Sequence, residues 1–278
     1  MPNKLLNTVA VFTLALTATY ASASERIISA GSAVTELIFA LDQQEQLVAV
    51  DVTSELPQGV ELPKVGYHRR LSAEGLLALD ANRLVGSDEM GPDTTLSQLK
   101  SAGIKVDIVN TKPTPAGLLE RIDEIAQITG AHQQAETLKS EVNKQIRSLE
   151  HQTSSEAKKV LFLLIHEGRA ANVAGKNTTP NAIIELAGGI NPAAATLSSY
   201  KPLSTEAMVE MQPDIILVSG RSYEKMGGAD AILKSMPLLA ATPAGQNKQI
   251  IKIDGHAIVG GLGLKSLSEA ERLSKLLK

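Results

Sequence analysis

The sequence has no cysteine and no tryptophan, and aromatic residues make up only 3% of its 278 residues. Without cysteine the chain can form no disulfide framework and no thiol nucleophile, and it offers no cysteine for lipid attachment. The phosphate-binding loop, the His-Glu-x-x-His zinc motif and the nucleophile elbow of serine hydrolases are also missing. These absences exclude thiol chemistry and argue against an enzyme.

The first 23 residues are typical of an export signal. Lys4 supplies the positive start, residues 5–18 form an apolar run, and Ala21-Ser22-Ala23 is a small-x-small cleavage site. The run is short for a membrane span and is followed directly by charged residues, so we expect no stable membrane insertion. We therefore predict a free, monomeric periplasmic protein made of residues 24–278.

The mature chain is weakly acidic. Removal of Lys4 leaves 26 of the 27 basic residues against 30 acidic ones, a net charge of −4. Nucleic acid is therefore not an expected partner. The aromatic side chains that remain after cleavage are Phe39, Tyr67, Phe162, Tyr200 and Tyr223.

Short apolar runs rich in β-branched residues alternate with helical patterns along the chain. This alternation predicts an α/β fold with mainly parallel sheets. Among the helices we expect residues 33–41, with Ser32 as the N-cap, and residues 266–277 at the end. The predicted strands are 26–29, 47–50, 84–87, 106–109, 159–165, 215–218 and 250–253.

Two segments 132 positions apart have nearly the same sequence. Leu71-Ser72-Ala73-Glu74 and Leu203-Ser204-Thr205-Glu206 each precede a short helical pattern and then an apolar run. In each copy the serine predicts a helix cap, and the glutamate is favourable in the first turn of that helix. The repetition predicts two similar lobes, each with its own core, and a cleft between them. Glu74 and Glu206 would then lie on one rim, where they suit a partner with two basic pockets.

A long amphipathic stretch, residues 115–149, joins the two halves. Gly130 interrupts it, and residues 131–150 contain neither glycine nor proline, which predicts one continuous helix. Such a connector would limit lobe closure, because bending a helix breaks its backbone hydrogen bonds. The predicted division is an N-terminal lobe at 24–129, a connecting helix at 130–155 and a C-terminal lobe at 156–278.

The segment Gly66-Tyr67-His68-Arg69-Arg70 brings a phenol, an imidazole and two guanidinium groups together. A tyrosinate is a hard oxygen donor for ferric iron, and a nearby arginine favours ionisation of a phenol whose ordinary pKa is about 10. Tyrosine is also an axial ligand of haem iron in some proteins, and arginine pairs well with carboxylates. Taken alone, the segment fits a solvated surface loop at least as well.

His166 follows directly after an apolar run, which predicts a position at the carboxyl end of a strand, where open α/β sheets bind ligands. His132 and His151 fall on the connector, so His68, His166 and His256 are the histidines expected near the cleft. A single histidine after a strand is more often structural than a ligand.

The stretch Leu62–Gly75, with His166 and Glu206, resembles the periplasmic haem-binding proteins that serve bacterial haem ABC importers. The resemblance covers essentially the whole mature chain and implies the helical-backbone class of substrate-binding protein. It implies that Tyr67 is an axial ligand of ferric haem and that His166 ligates a second, stacked haem. It also implies that Glu74 and Glu206 dock onto arginines of a membrane permease dimer that works with an ATPase.

We expect further residues to complete such a pocket. Arg69 and Arg70 would engage the haem propionates or polarise the phenolate. The apolar walls would come from Met90, Ile258, Val259 and Leu262.

Three alternatives stay open. A ferric-siderophore or cobalamin carrier on the same scaffold would need no phenolate ligand, although such pockets usually have more aromatic faces than this chain offers. A zinc or manganese carrier would need three or four converging His and carboxylate ligands. A periplasmic hydrolase would need an activated nucleophile, which the sequence does not reveal.

Overall fold

A computed structural model describes residues 25–150, 157–166 and 168–278. The predicted export signal, residues 1–23, and positions 151–155 at the end of the predicted connector lie outside the described residues.

The N-terminal part is built on a four-stranded, all-parallel sheet with the strand order β2-β1-β3-β4. Its strands are Ile27–Ala30 (β1), Leu47–Val50 (β2), Arg83–Gly86 (β3) and Lys105–Ile108 (β4). Its helices are Ser32–Ala40 (α1), Ala73–Leu77 (α2) and Asp93–Ser101 (α3). Each predicted strand of this half is present, within one residue of its expected position.

Two helices lie between the two sheets along the chain, Pro115–Thr129 (α4) and His132–Glu150 (α5). The first begins with a Thr114 cap, which accepts a hydrogen bond from the Gly117 N–H at 3.0 Å, followed by Pro115 in the first turn. It ends at Gly130, whose φ of 80° lies in the left-handed region that ends helices. The predicted continuous helix is confirmed as α5.

The C-terminal part is built on a five-stranded sheet with the strand order β7-β6-β5-β8-β9. Its strands are Val160–Leu164 (β5), Asn172–Ala174 (β6), Tyr200–Pro202 (β7), Ile215–Ser219 (β8) and Ile250–Ile253 (β9). The three predicted strands, β5, β8 and β9, are parallel, whereas the unpredicted β6 and β7 pair antiparallel. Its helices are Thr179–Leu186 (α6), Thr205–Glu210 (α7), Gly220–Met226 (α8), Ala229–Ser235 (α9), Pro243–Gln246 (α10) and Leu264–Leu276 (α11).

The prediction that Ser32 caps α1 is wrong. Ser32 is the buried first residue of the helix, and the cap position belongs to Gly31. The Gly31 φ of 128° is one that residues with a side chain rarely adopt, and its N–H donates to the buried Asp51 carboxylate at 3.1 Å. The glycine lets the chain turn directly from β1 into the helix, so the helix starts one residue earlier than expected.

The hydrophobic core is not divided cleanly between the lobes. Each lobe has a smaller buried cluster of its own, but the largest cluster is continuous from the N-terminal to the C-terminal sheet. Leu37, Ile125, Val142, Leu217 and Leu267 all belong to it. The expectation of two separate cores therefore needs correction, because α4, α5 and α11 pack between the sheets and join them. No helix among the described residues is long and apolar enough to cross a membrane.

Candidate ligand-binding site

A cavity of about 1260 Å³ lies between the lobes, at the carboxyl ends of both sheets. On the N-terminal side, Thr53 follows β2 and Glu89 follows β3. On the C-terminal side, His166 follows β5 and Asp254 follows β9. Ligands of open α/β sheets bind at this end of the strands, and pockets for drug-sized molecules hold about 300–1000 Å³. The cavity therefore has room for a large ligand.

Tyr67 lies on the cavity wall with 40% of its surface exposed. The preceding Gly66 turns the chain with a φ of 89°, and the Gly66 carbonyl accepts a hydrogen bond from the Val52 N–H at 2.8 Å. Tyr67 itself is extended, and a short 3-10 turn at His68–Arg70 follows it. This local geometry leaves the aromatic side chain of Tyr67 facing the open space between the lobes.

His68 is buried beneath the cavity, with 1% of its surface exposed. Its Nδ1 lies 2.9 Å from an Asp51 carboxylate oxygen, and its Nε2 lies 3.7 Å from Glu89. Burial alone would lower the pKa of His68, but the hydrogen bond to Asp51 and the nearby Glu89 outweigh it and raise the pKa. His68 is thus tied into the N-terminal lobe, and its ring nitrogens are directed at carboxylates.

The other two candidate histidines differ from His68. His166 is exposed on the cavity wall, two residues after the last residue of β5, near the strand end that the sequence predicted. His256 also lines the cavity, but its Nδ1 lies 2.9 Å from Asp254 Oδ1, and its backbone N–H donates to the same oxygen. His166 is therefore the better placed of the two to meet a ligand.

The two predicted arginines have different environments. Arg69 lines the cavity and forms an ion pair with Glu89, which lies on the same wall. Together with His68, Arg69 lowers the pKa of Glu89, so this wall carries a carboxylate next to a guanidinium group. Arg70 is exposed but is not part of the cavity lining, because the 3-10 turn directs it elsewhere.

Of the four predicted wall residues, Ile258 and Val259 line the cavity. Met90 and Leu262 do not, and each is buried in a hydrophobic core. Met90 packs over Gly86, at the end of β3, where any larger residue would collide with its sulfur atom. Leu262 follows two glycines with positive φ that turn the loop inward. These two assignments are corrected.

Tyr200 is a cavity residue that the sequence did not reveal. It lies on the short, exposed strand β7, and its ring packs edge-on against Phe162, with a centroid distance of 6.2 Å. Although 36% of Tyr200 is exposed, the protein atoms around its phenol desolvate it and raise its pKa above the usual value, and the charge of Glu89 acts in the same direction. Tyr200 therefore presents a neutral hydroxyl to the cavity. Because the chain has only four tyrosines, each of them was a candidate for the cavity, and this was the one sequence feature that pointed to Tyr200.

The repeated segments form matching helix starts. Ser72 accepts a hydrogen bond from the Gly75 N–H at 3.5 Å, and Ser204 accepts one from the Ala207 N–H at 3.3 Å. Both predicted caps are therefore confirmed. Glu74 and Glu206 are exposed in the first turns of α2 and α7.

Glu55, Asp254 and His256 are a possible metal-binding group, since their ligand atoms lie within 4.8 Å of one another. However, the Lys265 ammonium group pairs with Glu55 and lies 3.9 Å from Asp254. A cation of the chain itself thus already compensates these carboxylates. The arrangement is an ion-pair cluster between the lobes, and it does not strengthen the case for a zinc or manganese carrier.

Comparison with solved structures supports the two-lobed architecture. The periplasmic haem-binding protein HutB of Vibrio cholerae is 64% identical, with a TM-score of 0.88, and the match covers 92% of this chain and 99% of that one. The periplasmic haem-binding protein BhuT, solved in complex with two haems, is 32% identical with a TM-score of 0.83, and the match covers 92% of this chain and all of that one, 100%. The predicted fold class is confirmed.

A vitamin B12-binding protein of Vibrio campbellii is also similar, with 25% identity over 73% of this chain and 74% of that protein. A family model described as "Periplasmic binding protein" matches residues 27–257. The matched segment spans both sheets and the helices that connect them. The chain therefore belongs to the periplasmic binding protein family.

Proposed function

We propose that this protein captures haem in the cavity between its lobes and delivers it to an inner-membrane ABC transporter. The observation that carries the proposal is the exposed phenol of Tyr67, which lies on the wall of a large interlobe cavity next to Arg69. The 64% identity to a periplasmic haem-binding protein supports the same ligand. As a member of a binding-protein family, the chain is not an enzyme.

In this proposal the Tyr67 phenolate is the axial ligand of ferric haem. The bond between its oxygen and the iron orients the flat porphyrin in the cavity. Arg69 stabilises the anionic oxygen or pairs with a propionate, while Glu89 holds its guanidinium in place. Ile258 and Val259 offer apolar contacts from the other lobe. Tyr200 adds an aromatic face and a neutral hydroxyl.

His166 is the proposed ligand of a second haem. It lies on the C-terminal side of the cavity, whereas Tyr67 lies on the N-terminal side. The cavity volume of about 1260 Å³ and the similarity to BhuT with two haems both favour a stacked pair.

The proposed partner is a permease dimer with its ATPase, and Glu74 and Glu206 are the docking residues. Both carboxylates are exposed in the first turns of equivalent helices, so basic pockets of a partner can reach them without any rearrangement of the hydrophobic core. A monomer suits this role, with residues 1–23 directing its export to the periplasm and being cleaved off afterwards. In this proposal residues 24–129 and 156–278 are the lobes, and residues 130–155 connect them.

A hemin titration of wild type and Tyr67→Phe tests the proposal. We expect the wild type to show the visible charge-transfer absorption of a phenolate bound to ferric iron. Phenylalanine keeps the ring but removes the oxygen, so the variant should lose this absorption and bind hemin more weakly. A Tyr223→Phe variant is the matched control, because Tyr223 packs against the buried cluster of the C-terminal lobe. Full affinity and an unchanged spectrum in Tyr67→Phe would contradict the axial-ligand assignment.

A cobalamin carrier is the second candidate, since curated vitamin B12-binding proteins are similar over 73% of the chain. A competition experiment between hemin and cyanocobalamin distinguishes a haem carrier from a cobalamin carrier. If haem is the ligand, an excess of cyanocobalamin should leave hemin binding unchanged, whereas a cobalamin carrier would bind cyanocobalamin in the absence of hemin.

A further inference from the structure

The side chain of Tyr67 has little to hold it in one orientation. It belongs to an irregular segment between β2 and α2, and 40% of its surface is exposed. The aromatic neighbour that it contacts is the ring of His68, with a centroid distance of 4.5 Å and a tilt of 57°. A ligand for iron must nevertheless be held within a fraction of an ångström of its bonding position. Some other part of the protein has to fix this segment.

The backbone is fixed on both sides of Tyr67. The Gly66 carbonyl accepts a hydrogen bond from Val52 at 2.8 Å, and the His68 carbonyl accepts one from Gly91 at 3.0 Å. These bonds define the course of the chain but leave the side chains free to turn. Of the side chains at residues 67–70, only that of His68 is buried, with 1% of its surface exposed, whereas Glu89 holds Arg69 at the surface.

Asp51 holds the ring of His68. An ionised carboxylate can only accept hydrogen bonds, so the Nδ1 of His68 carries the proton in the 2.9 Å contact between them. Asp51 is completely buried, and its own backbone N–H donates to the Ser29 carbonyl of β1 at 3.0 Å. His68 is therefore joined through one carboxylate to the carboxyl end of the N-terminal sheet.

The carboxylate of Asp51 is itself rigidly surrounded. It accepts hydrogen bonds from the Gly31 N–H at 3.1 Å, the Thr53 hydroxyl at 2.7 Å and the Ser54 hydroxyl at 2.8 Å. With His68 it has four donors, which satisfies both oxygens. A buried polar network that is fully satisfied restricts the conformations of its members.

We propose that Asp51 is a positioning residue for the haem ligand Tyr67 and acts through the buried ring of His68. The inference rests on the proposed function, because it assigns a task to this network only if Tyr67 binds iron. The chain of contacts runs from the sheet edge to Asp51, from Asp51 to His68, and from the His68 ring to the Tyr67 ring. His68 is one step removed from the metal ligand and Asp51 is the next step. Groups one step removed typically change metal affinity about 10-fold to 100-fold when they are lost.

Two substitutions at His68 separate the effect of its hydrogen bond to Asp51 from the effect of the space that its side chain fills. The amide nitrogen of His68→Asn can take the place of Nδ1 and keep the hydrogen bond to Asp51, whereas His68→Leu fills the space without any donor. We expect His68→Leu to bind hemin about 10-fold to 100-fold more weakly and to have a weakened phenolate–iron absorption. His68→Asn keeps the hydrogen bond to Asp51 but lacks the ring that contacts Tyr67, so its affinity should lie between those of the wild type and His68→Leu.

Asp51→Asn is the complementary variant. The amide oxygen of the new asparagine can accept from Gly31 and Ser54, as Asp51 Oδ1 does. Its NH₂ group then faces the Nδ1 proton of His68, and because two donors repel, the imidazole ring must change tautomer or turn. The loss should resemble that of His68→Leu. Asn191→Ala is the matched control, because it removes a buried hydrogen bond of similar length, 2.8 Å to the Ala174 carbonyl, in the other lobe. It should lower stability and leave hemin binding unchanged.

The outcomes distinguish this inference from the proposed function. If Tyr67→Phe loses the absorption while folded His68→Leu and Asp51→Asn keep wild-type affinity and spectrum, the positioning role is wrong and the haem proposal stands. If Tyr67→Phe keeps both, the haem-ligand assignment itself fails. If His68→Leu does not fold, Asp51→Asn decides, and its wild-type behaviour would overturn the inference.

Discussion

The carboxylate of Glu36 in α1 accepts hydrogen bonds from the backbone N–H groups of Leu264 and Lys265, at 2.7 and 3.2 Å, in the first turn of α11. The cap position of that helix is Gly263, which has no side chain to satisfy the free N–H groups. A residue of the N-terminal lobe therefore caps the last helix of the chain. These two hydrogen bonds and the shared core join the lobes, so we expect a ligand to enter with little closure.

Glu36 should make the stability of the protein depend on pH. Burial raises the pKa of Glu36 from 4.5 to about 7, although the two backbone hydrogen bonds and the charges of Lys265 and Arg121 oppose this shift. The folded protein thus holds the proton more tightly than the unfolded chain does. The resulting stabilisation is complete below about 4.5 and is lost as the pH rises through about 7.

Denaturant unfolding of wild type and Glu36→Gln across this pH range measures the effect. Relative to the variant, the wild type should lose free energy of unfolding on the order of 1 kcal/mol per pH unit within the window. Glu136→Gln is the control, since Glu136 is an exposed helical glutamate on α5. Parallel curves for wild type and Glu36→Gln would mean that the carboxyl group titrates normally.

Patterns that depend on local sequence predicted much of this structure. The parallel strands follow from continuous apolar runs, and the caps of α2 and α7 follow from Ser72 and Ser204. The position of His166 at a strand end followed in the same way. Each of these features depends on a few neighbouring residues, which a single sequence contains.

The features that could not be predicted depend on distant partners. Gly31 takes the cap position of α1 because Asp51, 20 residues away, accepts its N–H. Met90 turns into the core, where it belongs to one buried cluster with Ile28 and Leu71. Tyr200 reaches the cavity on a strand of three exposed residues, which exists only through its pairing with β6. None of these contacts has a local pattern.

The stacked-haem proposal makes a prediction about stoichiometry. Titration with hemin should give two equivalents for the wild type and one for His166→Ala, because the alanine variant lacks the second axial ligand. His132→Ala, on the exposed first residue of α5, should still bind two. A wild-type value of one, unchanged in His166→Ala, would rule out the second haem.

The docking proposal predicts a defect in delivery without a defect in binding. Glu74→Gln combined with Glu206→Gln removes two exposed charges outside the cavity, so hemin affinity should stay at the wild-type value. Hemin uptake through the transporter in reconstituted vesicles should fall strongly, and each single variant should show an intermediate loss. Glu210→Gln controls for the change in net charge, because Glu210 is exposed at the end of α7. Equal uptake by the double variant and the wild type would show that these carboxylates are not the docking points.

Gly86 at the end of β3 should tolerate no side chain, although it lies away from the cavity surface. A Cβ atom there would lie 2.3 Å from the Met90 sulfur and 2.6 Å from the Ala30 carbonyl oxygen, and the carbonyl belongs to the neighbouring strand β1. Gly86→Ala should therefore lower the free energy of unfolding by about 1–3 kcal/mol, as overpacking of a core does.

Gly75→Ala is the matched control, because its nearest neighbours lie 3.9 Å away and alanine favours the helix by about 0.5–1 kcal/mol. Since Met90 directly follows Glu89, the partner of Arg69, a shifted Met90 should also weaken hemin binding, whereas Gly75→Ala should not. If Gly86→Ala were as stable as the wild type, the close packing of Met90 over this glycine would be wrong.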